Sequence, residues 1–246
     1  MTARWVELLK ISSSDTSSIS EAENLLGFED VRNSINSKDG RGRTVLHHAV
    51  NMNNIALTRT LIKNGADIQI KTGKNSTLLH IAAGCNRPLV QRMLETLSEH
   101  GAITQVSDVD DKGRTPLHMA LEHGRIASVK FLLKHASPTV LNRAAKDGKT
   151  PLHVAASQEG NCDIIQLVLD YGADESINTI ENDGRTPLHL ATCLTGNDEA
   201  VRLLLDHGAV ESINTIDNNG KTPLHLATCL AGNAETVRLL LDHGAV

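Results

Sequence analysis

A tandem repeat constrains this chain before any single element does. Glu175–Val210 and Glu211–Val246 match at an offset of 36 residues, with the string ESINTI carried over unchanged. Fainter copies lie upstream, anchored at Thr44-Val45-Leu46-His47, Thr77-Leu78-Leu79-His80, Thr115-Pro116-Leu117-His118, Thr150-Pro151-Leu152-His153, Thr186-Pro187-Leu188-His189 and Thr222-Pro223-Leu224-His225. Successive anchors are 33, 38, 35, 36 and 36 residues apart. A unit this short cannot bury an apolar face alone, so neighbouring copies must stack, and about three are needed for stability.

Each copy reads as two short helices. The anchor threonine suits an N-cap, and Pro116, Pro151, Pro187 and Pro223 stand at the first helical position, where the missing N–H costs nothing. A second helix follows with apolar residues at i, i+3 and i+4: Val129, Leu132, Leu133; Ile165, Val168, Leu169; Val201, Leu204, Leu205; Val237, Leu240, Leu241. Gly65, Gly101, Gly172, Gly208 and Gly244 can close these helices in the left-handed conformation. Ala136 replaces glycine once and predicts a poorer closure there. Asp39-Gly40, Asp147-Gly148, Asp183-Gly184 and Asn219-Gly220, with Lys112-Gly113 as a variant, predict tight turns at the tips of hairpin-like fingers.

The recurring T-P-L-H pattern at this period resembles the ankyrin repeat over about residues 30–246. The resemblance implies an all-α ankyrin-repeat solenoid of six helix-turn-helix repeats with hairpin-like fingers. It places an N-terminal capping segment with a Ser-rich loop at 1–30 and the array at 31–246, with anchors at 44, 77, 115, 150, 186 and 222. Residues 1–30 carry Trp5, Val6, Leu8, Leu9 and Ile11, then Ser12–Ser18, then Leu25, Leu26 and Phe28. They read as a degenerate capping repeat with a flexible loop, or alternatively as a partner-docking helix on a phosphorylatable linker. The abrupt Gly244-Ala245-Val246 end is expected to belong to a longer product or to meet a partner.

Composition agrees with thin helical layers: 40% of residues are hydrophobic but only 2% aromatic, so the core must be aliphatic. A net charge of −5 disfavours nucleic acid and anionic lipid as partners. No stretch approaches the length of a membrane span, and no apolar leader follows Met1-Thr2-Ala3-Arg4-Trp5. The expected location is cytoplasmic, or a host cell if the source is an intracellular bacterium. Cys85, Cys162, Cys193 and Cys229 show no paired spacing and read as packing residues. Cys193 and Cys229 recur one repeat apart, about 8–10 Å at helix-packing distance and too far for a disulfide.

Twelve histidines invite a metal or catalytic reading, which their spacing does not support. His47, His80, His118, His153, His189 and His225 hold the fourth anchor position, where the resemblance implies that the imidazole ties threonine to adjoining backbone. His100, His135, His207 and His243 end second helices, where positive charge suits the macrodipole. Lys71-Thr72-Gly73 lacks the companion motifs of a serine β-lactamase, and Gly40-Arg41-Gly42-Arg43-Thr44 lacks the ending of a phosphate loop. Asn75-Ser76-Thr77 is a sequon inside an anchor. No catalytic residue, metal, cofactor or small-molecule substrate is expected.

The function implied is a non-enzymatic scaffold or adaptor that binds another protein along the fingers and the concave first-helix face. The alternative is the targeting segment of a larger enzyme complex or an intracellular-bacterial effector whose active part lies elsewhere. Mapped onto this chain, the finger positions are Arg41, Arg43, Lys74, Ser76, Asp111, Lys112, Arg114, Lys146, Asp147, Lys149, Asn182, Asp183, Arg185, Asn218, Asn219 and Lys221. The first helices contribute Asn51, Met52, Glu122, His123, Ser157, Gln158, Leu194 and Leu230, the last two apolar where solvent is expected. The basic column Arg43, Arg114, Lys149, Arg185 and Lys221 reads as a solvated finger edge rather than an acid-binding stripe.

Overall fold

The structure, a computed structural model, describes residues 16–246, and every regular element among them is helical. The segment Trp5 to Asp15 lies outside the described residues. Two compact units divide between Asp111 and Lys112. The first holds α1 (Thr16–Leu26), α2 (Glu29–Asn33), α3 (Val45–Asn51), α4 (Ile55–Lys63), α5 (Leu78–Gly84) and α6 (Val90–Glu99). The second holds α7 (Pro116–Glu122), α8 (Ile126–Leu133), α9 (Pro138–Leu141), α10 (Pro151–Ala156), α11 (Cys162–Asp170), α12 (Pro187–Thr192), α13 (Asp198–Asp206), α14 (Pro223–Thr228) and α15 (Ala234–Asp242).

Every first helix starts at its anchor threonine for the same reason. In the last five anchors the hydroxyl accepts from the histidine backbone N–H at 3.3–3.4 Å. In all six, the histidine Nδ1 accepts from the threonine N–H at 3.0–3.3 Å. This reciprocal capping box satisfies two donors that a helix end otherwise leaves exposed. An accepting Nδ1 puts the proton on Nε2, which in the second unit donates to the next repeat: His118 to the Lys149 carbonyl at 3.1 Å, His153 to Arg185 at 3.1 Å and His189 to Lys221 at 3.2 Å. One neutral ring thus caps a helix and ties two repeats together.

The histidines that end second helices hold the opposite tautomer. His100, His207 and His243 donate Nδ1–H to the carbonyl four residues back at 2.7–2.8 Å, so they cap by hydrogen bonding. His135 instead packs its ring on Phe131, with centroids 4.9 Å apart.

Packing follows the repeat. In the first unit α3 lies against α5, α4 against α6, and α1 against α4. In the second, α7, α10, α12 and α14 form one row and α8, α11, α13 and α15 the other. Leu117, Leu121, Leu132, Leu152, Ile165, Val168, Leu188 and Leu204 are wholly buried between them. An asparagine column adds a second tie: Asn142, Asn178 and Asn214 donate to the closing-glycine carbonyls of Gly172, Gly208 and Gly244 at 3.1–3.3 Å. In the first unit Asn36 reaches Gly65 in the same way at 3.1 Å.

Several sequence expectations change in detail. The five closing glycines take φ of 91–105°, while Ala136 does not go left-handed and the chain turns instead into the short helix α9, where Pro138 follows Ser137. Thr16, Ser17 and Ser18 lie in α1 rather than in a loop, and α1 docks through Ala22 and Leu26 while Phe28 stays 55% exposed. Leu241 is 52% exposed, whereas its counterparts Leu169 and Leu205, on α11 and α13 with the next second helix packed against each, are buried. Cys193 is half-buried and Cys229 is exposed, the latter with its thiol on the His225 carbonyl at 3.2 Å. All four thiols are free, and burial pushes those of Cys162 and Cys193 up, away from the thiolate.

The neutral anchor rings predict acid sensitivity. Burial lowers His47 and His153 from the usual value of 6.5 to about 4, and lowers His189 as well. Between those values the unfolded chain binds protons that the folded chain excludes, so stability falls as pH drops from about 6.5 to about 4 and levels off below. Each of His47 and His153 removes on the order of 3 kcal/mol across that window. Urea titrations stepped through it should show the midpoint falling steadily; a flat midpoint would mean the rings are protonated in the fold.

Candidate functional site

The fingers are built by side chains that fold the loop onto itself. Five residues before the anchor, Asp39 accepts from the backbone of Arg41 and Arg43 at 2.8 Å, Thr72 from Lys74 and Ser76 at 3.3 and 3.1 Å, and Asp217 from Asn219 and Lys221 at 2.8 and 2.9 Å. The fourth finger has Ala145 there, and Asp147 substitutes by capping Lys149 at 3.1 Å. A backbone pair closes the first, second, fourth, fifth and sixth hairpins, as in Asp39 N–H to Arg43 at 2.8 Å and Glu181 N–H to Arg185 at 2.9 Å.

The left-handed residue of each turn lies two before the anchor: Gly42, Asn75, Gly113, Gly148, Gly184 and Gly220. The first turn closes from the Gly42 N–H to the Asp39 carbonyl at 2.9 Å with Gly40 and Arg41 at its tip, so the left-handed glycine of that finger is Gly42 and not Gly40. At Gly148 a Cβ would also lie 2.7 Å from the Asn182 backbone nitrogen, so the close approach of the next finger adds to the demand for glycine.

Consecutive fingers are laced by backbone hydrogen bonds. In the first unit Gly73 donates to Arg41 at 3.0 Å and Asp111 to Lys74 at 3.1 Å. In the second, Lys146 donates to Lys112, Asn182 to Asp147 and Asn218 to Asp183 at 2.9–3.0 Å. The Asn182 and Asn218 side chains add bonds to the Lys146 and Asn182 carbonyls at 3.0 and 2.9 Å. Both asparagines are among the positions expected to meet a partner; each also laces its finger to the one before while its side chain stays exposed.

The basic column is likewise largely occupied by the protein's own carboxylates. Arg43 pairs with Asp39 at 3.1 Å, Arg114 with Glu122, and Arg185 with Asp217 at 3.4 Å. Burial alone would push the Asp39 and Asp217 carboxyls up. Backbone N–H groups outweigh it, helped by His48 and Arg43 at Asp39 and by Asn219 and Arg185 at Asp217, and hold both below the usual carboxylate range. Glu181, buried and facing Asp183, moves the other way. Glu122 and His123 are exposed but engaged, the latter donating to the Met119 carbonyl at 2.8 Å.

Among the remaining expected positions, Arg41, Asn51, Lys74, Asp111, Lys112, Lys146, Asp147, Asp183, Asn219 and Lys221 are exposed, while Ser76, Lys149, Ser157 and Gln158 are half-buried. Leu194 and Leu230 are half-buried too, not solvent-facing, since each sits where the first helix folds back toward the second. In the first unit Arg41, Arg43, Asn51, Lys74 and Ser76 line one hollow of about 780 Å³ between two fingers and α3. Met52, next to Asn51 at the end of α3, faces a different hollow. Sequence reasoning missed Ile180 and Ile216, which are 60% and 61% exposed on consecutive fingers. The repeated ESINTI string held the signal: an aliphatic residue kept in register in a loop.

Among the described residues no three histidine, cysteine or carboxylate side chains come together as a metal site, and no helix is long and apolar enough to cross a membrane. What the fingers and first helices make is a row of recurring, shallow, mixed-charge positions on a rigid support, the design of a helical-repeat binding module. The chain belongs to the ankyrin-repeat family: the family model for ankyrin repeats (3 copies) matches residues 11–108, 79–179 and 174–246. It is similar to SMC5-SMC6 complex localization factor protein 1 of Bos taurus, 35% identical over 121 residues, 48% of this chain and 11% of the relative. It is also similar to the B-cell lymphoma 3 protein of Homo sapiens, 34% identical over 138 residues, 54% of this chain and 29% of that protein. The chain thus spans less than a third of either relative. The crystal structure of the ankyrin repeat domain of Bcl-3 has the same fold, with a TM-score of 0.71 at 21% identity over 98% of both chains. Ankyrin repeats are typically protein-interaction modules and generally not enzymes.

The two kinds of finger residue should separate on substitution. Asp217→Ala strands two backbone donors and an arginine, and is expected to lower stability by about 2 kcal/mol. Asn219→Ala, at an exposed tip, should stay within about 0.5 kcal/mol. Chemical denaturation of both variants gives the comparison; equal losses would mean that the Asp217 turn is not what holds the finger.

Proposed function

We propose that this chain is a non-enzymatic adaptor that binds another protein along its fingers and first-helix face, working in the cytoplasm. The observation that carries this reading is the pair Ile180 and Ile216, exposed one repeat apart beside the exposed tips Asp183 and Asn219. Aliphatic anchors within a polar rim are the usual composition of a protein-binding patch, and the laced backbone beneath keeps them pre-ordered, so little entropy is lost on binding. The mixed tip charges, Lys146, Asp147, Asp183 and Lys221, favour a partner surface of mixed sign over a phosphate backbone.

A second reading makes the array the targeting segment of a larger assembly. It is favoured by the small share of each relative that the chain matches.

Ile180→Asp with Ile216→Asp should leave the melting temperature within a few degrees of wild type, since both side chains are solvent-facing. Proteins retained by the immobilised wild-type chain from source lysate should be lost by this variant, with binding weakened at least about tenfold in a direct assay. Retention of every partner by the folded double variant would remove the fingers from the binding site.

A further inference from the structure

The far end of α3 from the fingers carries a second surface in the first unit. The link from α3 to α4 and the link from α5 to α6 enclose a hollow of about 620 Å³, lined in part by Met52, Ile55, Pro88, Leu89, Arg87 and Arg92. Leu89 is 60% exposed and stands at φ 62° and ψ 19°, in the left-handed region. In the second unit the corresponding links use glycine for that conformation, at Gly124, Gly160, Gly196 and Gly232. Leu89 is also the N-cap of α6, with no side-chain acceptor to offer. A leucine here is unfavourable for exposure, for backbone and for capping. Such a residue, held against local preference, points to a role outside the fold.

The charge around it has one sign. Arg59, Arg87 and Arg92 line the hollow. Arg59 is partly committed to Glu99 at 3.7 Å and to Thr96 Oγ1 at 3.2 Å, whereas Arg87 and Arg92, both exposed, make no ion pair among the described residues. The nearby Glu95 accepts from Gln91 at 2.9 Å. Asn53 donates to the Pro88 carbonyl at 2.6 Å and fixes one link against the other, so the hollow is preformed. A cationic, aliphatic hollow on a chain of net charge −5 selects for the opposite charge.

We propose that this hollow docks an acidic peptide segment of a partner protein, with an aliphatic side chain seated among Met52, Ile55 and Leu89 and flanking carboxylates on Arg87 and Arg92. The surface lies off the fingers, and Met52 adjoins Asn51 of the finger-side hollow. The test is fluorescence anisotropy on the full chain with a fluorescein-labelled peptide of alternating glutamate and leucine, against a lysine–leucine peptide of equal length.

The glutamate–leucine probe should bind, and Arg87→Glu with Arg92→Glu should weaken it about tenfold or more. Leu89→Gly should weaken it comparably while melting at or above wild type, because glycine relieves the backbone as it removes the anchor. Arg41→Ala with Lys74→Ala, at the fingers, should leave probe binding unchanged. The proposal is overturned if the probe does not bind, if Leu89→Gly binds it as wild type does, or if the lysine–leucine peptide binds equally. It is equally overturned, in favour of a second copy of this chain, if sedimentation shows a dimer that Arg87→Glu with Arg92→Glu abolishes.

Discussion

Each repeat begins where a threonine and a histidine three residues on close upon one another, and the rest of the fold takes its register from that pair. The couple needs a neutral ring with its proton on Nε2, because Nδ1 must accept from the threonine N–H. Burial supplies the neutrality, and the outward Nε2–H finds the carbonyl just before the next anchor. Helix initiation, ring tautomer and the link to the next repeat are therefore one interaction seen from three sides. A repeat cannot slip against its neighbour without stranding a buried donor, which is costly in a low-dielectric layer.

The same economy governs the fingers. A carboxylate or hydroxyl five residues before the anchor folds the hairpin, and its backbone then laces to the adjoining finger. Residues committed to this framework look free in sequence yet already spend part of their hydrogen-bonding capacity inside the fold. Arg43, Arg185, Asn182 and Asn218 are of this kind. Exposed tips such as Lys146, Asp147 and Asp183 project from a backbone already fixed.

The fold was legible because its determinants are local and recur: Thr150, Pro151 and His153 declare a helix start in any context, and Gly172 declares its end. The candidate site was less legible, because whether Asn182 binds a partner or its neighbouring finger depends on a residue 36 positions away. Ala136 shows the intermediate case. Loss of glycine was readable as a poorer closure, but the escape into α9 depended on Ser137 and Pro138 being able to start a new turn. Leu89 was invisible for a different reason: a leucine in a short loop carries no mark of the left-handed backbone it is made to adopt.

Where a residue is explained twice over by the framework, binding need not be invoked; where the framework counts against it, something else must. The anchor histidines belong to the first class, each satisfied at Nδ1 by its own repeat and, in the second unit, three of them at Nε2 by the next. Ile180, Ile216 and Leu89 belong to the second, being large, apolar and about 60% exposed on a backbone that polar residues or glycine would serve as well or better. Exposed apolar area gives no stability to the folded chain, so these three side chains are where the proposed contacts part from the needs of the framework.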